Sequence, residues 1–161
     1  MLSGGRNASM TENRLLSVDL ILAPIDASEE SLDAVEYASV IAAKYDASVH
    51  VVHVLDEDIV QAIETGTVDK SAVATDGQTI TESAETIAAK YDISASTSVV
   101  YGFSTQIKTT HPGRVVLDTA EDLNADFLVV PRKPLSGDPG EVLSRAAEYV
   151  LLYASQPVLS V

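Results

Sequence analysis

Two rhythms of apolar residues alternate along the chain. Runs rich in β-formers occupy Val18 to Ile25, Ala47 to Leu55, Ser94 to Tyr101, Asp126 to Val130 and Pro157 to Val161. Continuous apolar runs of this length mark strands covered on both faces. Between them the period lengthens to that of a helix. Leu32, Val35, Ala38, Ala42 and Tyr45 form one inward stripe, and Ile80, Ala84, Ile87, Ala88 and Tyr91 a second. Val116, Ala120 and Leu123 form a third, behind Pro112-Gly113, and Glu141 to Ala154 reads as a fourth helix. Asp56 to Thr79 lacks a clear period and reads as a loop or broken helix. The order β-α-β-α-β-α-β-α-β predicts an α/β fold: one doubly wound parallel sheet with right-handed crossovers.

Local signals sharpen the element ends. Asp26-Ala27-Ser28-Glu29-Glu30 supplies a cap and two acids at the start of the first helix, where the dipole favours them. Ile41-Ala-Ala-Lys-Tyr-Asp46 returns as Ile87-Ala-Ala-Lys-Tyr-Asp92, each time where a helix hands over to a strand. Two copies do not make a solenoid. They read as one corner built twice. The polar stretch 1–16 is expected to be a disordered tail before a single domain over 17–161, with Met10 an alternative start. It lacks the apolar core of a signal peptide.

Charge narrows the choice of partners. The 161 residues hold 24 acids against 10 Lys and Arg, a formal charge of −14. Such a surface repels nucleic acid and anionic membranes. The acids are scattered and Lys is scarce, as in proteins of a high-salt cytoplasm, so a cytoplasmic protein is expected. There is no Cys, which removes disulfide and thiolate chemistry. No apolar run reaches the roughly 18 residues that a bilayer crossing needs.

Candidate chemistry is sparse. His50 and His53 are three apart on a strand, so they point to opposite faces and cannot share an ion. Both read as structural, with His53 near the strand end that faces the switch point. His111 precedes Pro112 without an evident partner. Asp56-Glu57-Asp58 reads as a solvated acidic loop rather than a cation site, and no metal is expected. No nucleophile elbow and no His-Glu metal helix is present. No catalytic residue is assigned.

Several segments, in order and spacing, resemble the universal stress protein family. Ala23-Pro24-Ile25-Asp26 with Ala27-Ser28-Glu29-Glu30-Ser31 looks like that family's opening. Val52-His53-Val54-Leu55-Asp56 resembles its second-strand ending. Ala125-Asp126, Ala147-Glu148-Tyr149-Val150-Leu151 and Gln156-Pro157-Val158-Leu159 resemble its C-terminal third. The resemblance spans residues 17 to 161, and the acidity suggests a haloarchaeal-type member.

The resemblance implies an adenine-nucleotide alpha-hydrolase-like sheet in the order 3-2-1-4-5. Ligands of such sheets sit at the carboxyl ends, at the switch between strands one and four. In nucleotide-binding members the Asp after strand one and the backbone ending strand two hold adenosine. Here those are Asp26 and Val54, with Pro24 beside them. The family's phosphate motif is Gly, two residues, Gly, nine residues, Gly, then Ser or Thr. Pro131, Pro134, Ser144 and Arg145 occupy its four positions. Proline has no N–H to cradle a phosphate. The chain therefore reads as a non-enzymatic regulatory protein without a nucleotide cofactor. The alternative is an ATP- or AMP-binding switch that holds the phosphates through an atypical loop at Ser136, Gly137, Ser144 and Arg145. A third reading puts another small molecule, such as a nucleoside, in the same cleft. The last strand, Pro157 to Val161, falls at the sheet edge. Open edges invite pairing, a two-fold closes it, and the resemblance implies antiparallel pairing of this strand in a homodimer.

Overall fold

A computed structural model describes residues 17–26, 28–55, 57–101, 111–131 and 142–161. Five strands form one sheet: β1 (Leu20–Ile25), β2 (Ser48–Leu55), β3 (Ala95–Tyr101), β4 (Phe127–Val130) and β5 (Val158–Ser160). Their order is β3-β2-β1-β4-β5, and every pairing is parallel. The helices are α1 (Glu30–Tyr45), α2 (Glu57–Glu64), α3 (Lys70–Ala89), α4 (Pro112–Asp122) and α5 (Val142–Tyr153).

The alternation of side chains along each strand divides the core into two layers. Ile21, Ala23, Ile25, Val49 and Val51 face α1 and α3, against Val35, Ala38, Ala42 and Ala84. Leu22, Val52, Val54, Leu128 and Val130 face the other way, against Val116, Ala120, Leu143 and Val150 of α4 and α5. Small residues on the helices let them lie close to a β-branched sheet, at about 25 cal/mol for each Å² of apolar surface buried.

The inward stripes hold except at their ends. Tyr45 and Leu123, expected inside, are exposed. Each stands at or just beyond the last residue of its helix, where the chain already turns away from the sheet. The aperiodic stretch after β2 is a broken helix. The break spans Thr65 to Asp69, where Gly66 takes a φ of +76°, the left-handed conformation that glycine adopts without a Cβ penalty. Asp69 then caps α3 by accepting the N–H of Ser71 at 3.0 Å. Helix thus begins ten residues before Ile80. Thr75, Thr79 and Thr81 return their hydroxyls to carbonyls one turn back, which blunts the amphipathic signal of that half.

The repeated hexapeptide is one corner, and it occurs a third time. Asp46, Asp92 and Asn124 all hold φ near +57° (56°, 58° and 57°). After each, the next N–H reaches back to a helix carbonyl: Ala47 to Ala42 at 2.9 Å, Ile93 to Ala88 at 3.1 Å, and Ala125 to Ala120 at 2.8 Å. This left-handed stop aims the chain straight into the next strand.

Candidate functional site

The amino end of the sheet is closed. Asp126 accepts the N–H of Asp19 at 2.9 Å and that of Leu20 at 3.1 Å, and donates its own N–H to Leu20 at 3.0 Å. The carboxyl end is open. β1 pairs with β4 only at Ile21↔Phe127 and Leu22↔Leu128. It pairs with β2 as far as Ile25↔His53, while β2 runs on to Leu55 beside β3 alone. Beyond the last β1 pair, no strand among the described residues pairs with the backbone of Val54 and Leu55 on that side. Pro24 lies past the β1–β4 ladder, where a central strand tolerates a residue without an N–H.

Asp26 stands at this opening, half-buried. Its Oδ1 accepts the Ser28 N–H at 2.7 Å and also the Ser28 hydroxyl. The Asp26 N–H donates to Ser31 Oγ at 3.2 Å, and the Ser31 hydroxyl donates to the Ser28 carbonyl at 2.8 Å. The turn is thus braced by its own side chains. The helix start differs from the expected one: Glu29 makes no side-chain cap, and Ser28 Oγ takes the Ser31 N–H at 3.3 Å. Val54 is fully buried by its side chain, in the layer of Leu22 and Leu128. Only its backbone can meet a ligand.

The two sides of the expected site fare differently. Pro24, Asp26 and Val54 come together at the ends of β1 and β2. Pro131 follows β4 directly and is buried. Pro134, Ser136 and Gly137 lie outside the described residues. Ser144 and Arg145 fall in the first turn of α5, and Arg145 is exposed. The charge of Arg145 is felt by His111 at the start of α4.

The histidines have partners that sequence order hides. His50 and His53 do point to opposite faces. His50 Nδ1 lies 2.6 Å from Ser96 Oγ and its Nε2 2.8 Å from Ser98 Oγ. Register explains it: His50 pairs with Ser96, and Ser98 is the next residue on the same face of β3. Alternating serines opposite a histidine were the available signal. His53 lies on the α3 face rather than opening into the switch point. Its ring packs where Gly77 has no side chain; a Cβ there would stand 3.3 Å from Nδ1. Burial lowers its pKa, and the nearby Asp26 carboxylate opposes that. His111 caps α4, its Nδ1 accepting the Gly113 N–H at 3.0 Å, and its ring stacks on Tyr149 at 4.6 Å. A Cβ on Gly113 would come within 2.3 Å of Tyr149 Cβ, so only glycine lets α4 and α5 meet there.

Comparison with known proteins fits this geometry. Solved structures of low identity share the fold. A universal stress protein in complex with cAMP is 22% identical, with 90% of this chain and 97% of that one covered at a TM-score of 0.61. The universal stress protein UspA from Lactobacillus plantarum is 18% identical over 89% and 97%, at 0.65. The universal stress protein from Archaeoglobus fulgidus in complex with dAMP is 17% identical over 89% and 96%, at 0.60. No curated protein matches the chain in sequence. The profile of the universal stress protein family matches residues 18–161, the whole of the described sheet and its helices, and the chain belongs to that family.

Proposed function

We propose that this protein is a non-enzymatic, dimeric regulator of the cytoplasm that has lost tight ATP binding while keeping the adenosine side of the family's cleft. One observation carries the reading: a buried Pro131 stands directly at the carboxyl end of β4, where the phosphate motif has its first glycine. A phosphate there needs backbone N–H donors and glycine dihedrals, and proline supplies neither. Pro134, Ser144 and Arg145 complete the departure from the motif. Braced as it is by Ser28, Asp26 serves the turn as well as any ligand. The acidic surface supports a haloarchaeal type of member, and β5 supplies the edge for the dimer.

A second reading has a specific motive. Relatives of the same fold hold cAMP and dAMP, and a nucleoside monophosphate asks less of the phosphate loop than ATP does. The free backbone at Val54 and the Asp26 turn suit an AMP-like ligand. Ligand binding raises stability by RT ln(1 + [L]/Kd), about 2.7 kcal/mol at a hundredfold excess over Kd. Millimolar ATP at constant ionic strength should leave the melting temperature unchanged. A rise of several degrees would overturn the first reading, and a rise with AMP alone would favour the second. Restoring the motif with Pro131→Gly, Pro134→Gly, Ser144→Gly and Arg145→Ser should create ATP binding that Asp26→Ala removes.

A further inference from the structure

A cleft of about 390 Å³ lies on the α3 face of the sheet, over β2 and β3. None of its lining residues comes from β1 or β4. Leu55, Ile63, Val73 and Val99 give it apolar walls, and Thr81 and Thr97 add hydroxyls. His53 forms part of its lining, and is only 5% exposed. We propose that this cleft binds a small, neutral, planar molecule with an apolar body and one hydrogen-bond donor.

Each part of that description rests on a feature of the lining. The volume lies within the range of small-molecule sites, which combine apolar walls with a few placed polar groups. The Thr81 hydroxyl donates back into α3, to the carbonyls of Gly77 at 3.1 Å and Gln78 at 2.9 Å. Thr81 therefore offers its guest lone pairs and no proton. His53 Nδ1 is buried beside Gly77 with no hydrogen-bond partner among the described residues. Buried polar atoms are nearly always paired, and an unpaired one calls for an explanation. A guest donor entering beside Gly77 would supply it. Burial also favours the neutral ring, which keeps one nitrogen an acceptor. Charge excludes a cationic guest. Lys70 is the one basic side chain of the described lining, and no carboxylate joins it; the net charge of −14 in turn opposes an anionic guest.

Indole and benzothiophene test this, because they share shape and apolar area but only indole has an N–H. The full-length protein, labelled with nitrogen-15, is titrated with each. Indole should shift the amides of Gly77, Thr81, Thr97 and Val99, and bind roughly tenfold more tightly than benzothiophene, as one hydrogen bond of about 1 kcal/mol or more implies. His53→Phe, which keeps a ring in the same space and removes the acceptor, should erase that preference. Val99→Trp, at an exposed position over the mouth, should weaken both probes at least tenfold while leaving the remaining amide spectrum in place. The proposal is overturned if millimolar indole shifts none of these amides. It is equally overturned if the two probes bind the wild type alike, or if Val99→Trp leaves indole binding intact.

Discussion

Single residues set both the ends of the helices and the response to acid. Asp46, Asp92 and Asn124 occupy left-handed positions that cost an L-residue roughly 1 kcal/mol and cost glycine nothing. Two of the three are acids at the negative end of a helix dipole, which adds a further penalty. Asp46→Gly and Asp92→Gly should each stabilise by about 0.5–1 kcal/mol, and Asn124→Gly by somewhat less, read as urea midpoints at constant slope. The histidines work in the opposite direction. His50, His53 and His111 all have pKa values lowered below 6.5, in each case mainly by burial. The unfolded chain then takes up protons before the folded one does. Stability from the neutral rings is complete above pH 6.5 and is lost as pH falls through the folded values. Melting temperature should therefore drop between pH 7 and pH 5, and His50→Gln or His53→Gln should each flatten that slope. An unchanged slope in both variants would mean that other groups govern the acid limb.

At the scale of elements, β5 is one of the two edge strands of the sheet, with β3 at the other side. β5 is three residues long and half-buried throughout, and no strand among the described residues pairs with its outer edge. The end of α5 adds apolar surface beside it, with Leu152 76% and Tyr153 65% exposed. An open edge next to bare apolar side chains is a place for a second copy to pair, and an isologous two-fold satisfies both at once. Light scattering at micromolar protein in high salt should report a dimer. Removing Val158 to Val161 should give monomer or aggregate, and a wild-type monomer would refute the pairing. The break between α2 and α3 is the other decision taken by whole elements. Gly66 ends one helix and Asp69 caps the next, and this lets α3 run back over the sheet far enough to wall the cleft beside His53.

For the molecule as a whole, a charge of −14 on 161 residues is a standing repulsion. Salt screens exposed charges over about 10 Å at 0.1 M, so screening relieves the folded state of that repulsion. Attractive pairs do little to offset it: the two ion pairs among the described residues, Lys90–Glu36 and Arg114–Asp118, are largely solvent-exposed, where such pairs contribute little. The melting temperature should climb from millimolar to molar salt. A flat profile would contradict the acidic-surface reading.

The division between what the chain announces and what folding decides follows from the range of the forces involved. Strand and helix periods, the doubly wound order and the repeated corner are local: each depends on residues within one or two turns, so they stand in the sequence from Val18 to Val161. The strand order 3-2-1-4-5 was legible only through the segments that resemble a family. The partners of the histidines were not legible, because they depend on register and on close approach between distant segments. His50 meets Ser96 and Ser98 only once β2 and β3 pair, His53 finds its room only where Gly77 crosses it, and His111 stacks on Tyr149 only when α4 and α5 pack. The same holds for Tyr45 and Leu123, whose helical spacing points inward while the turning chain carries them out to solvent. Periodicity fixes which face of an element is apolar; where that face ends, and which polar atom it leaves without a partner, is settled by the packing of elements far apart in the chain.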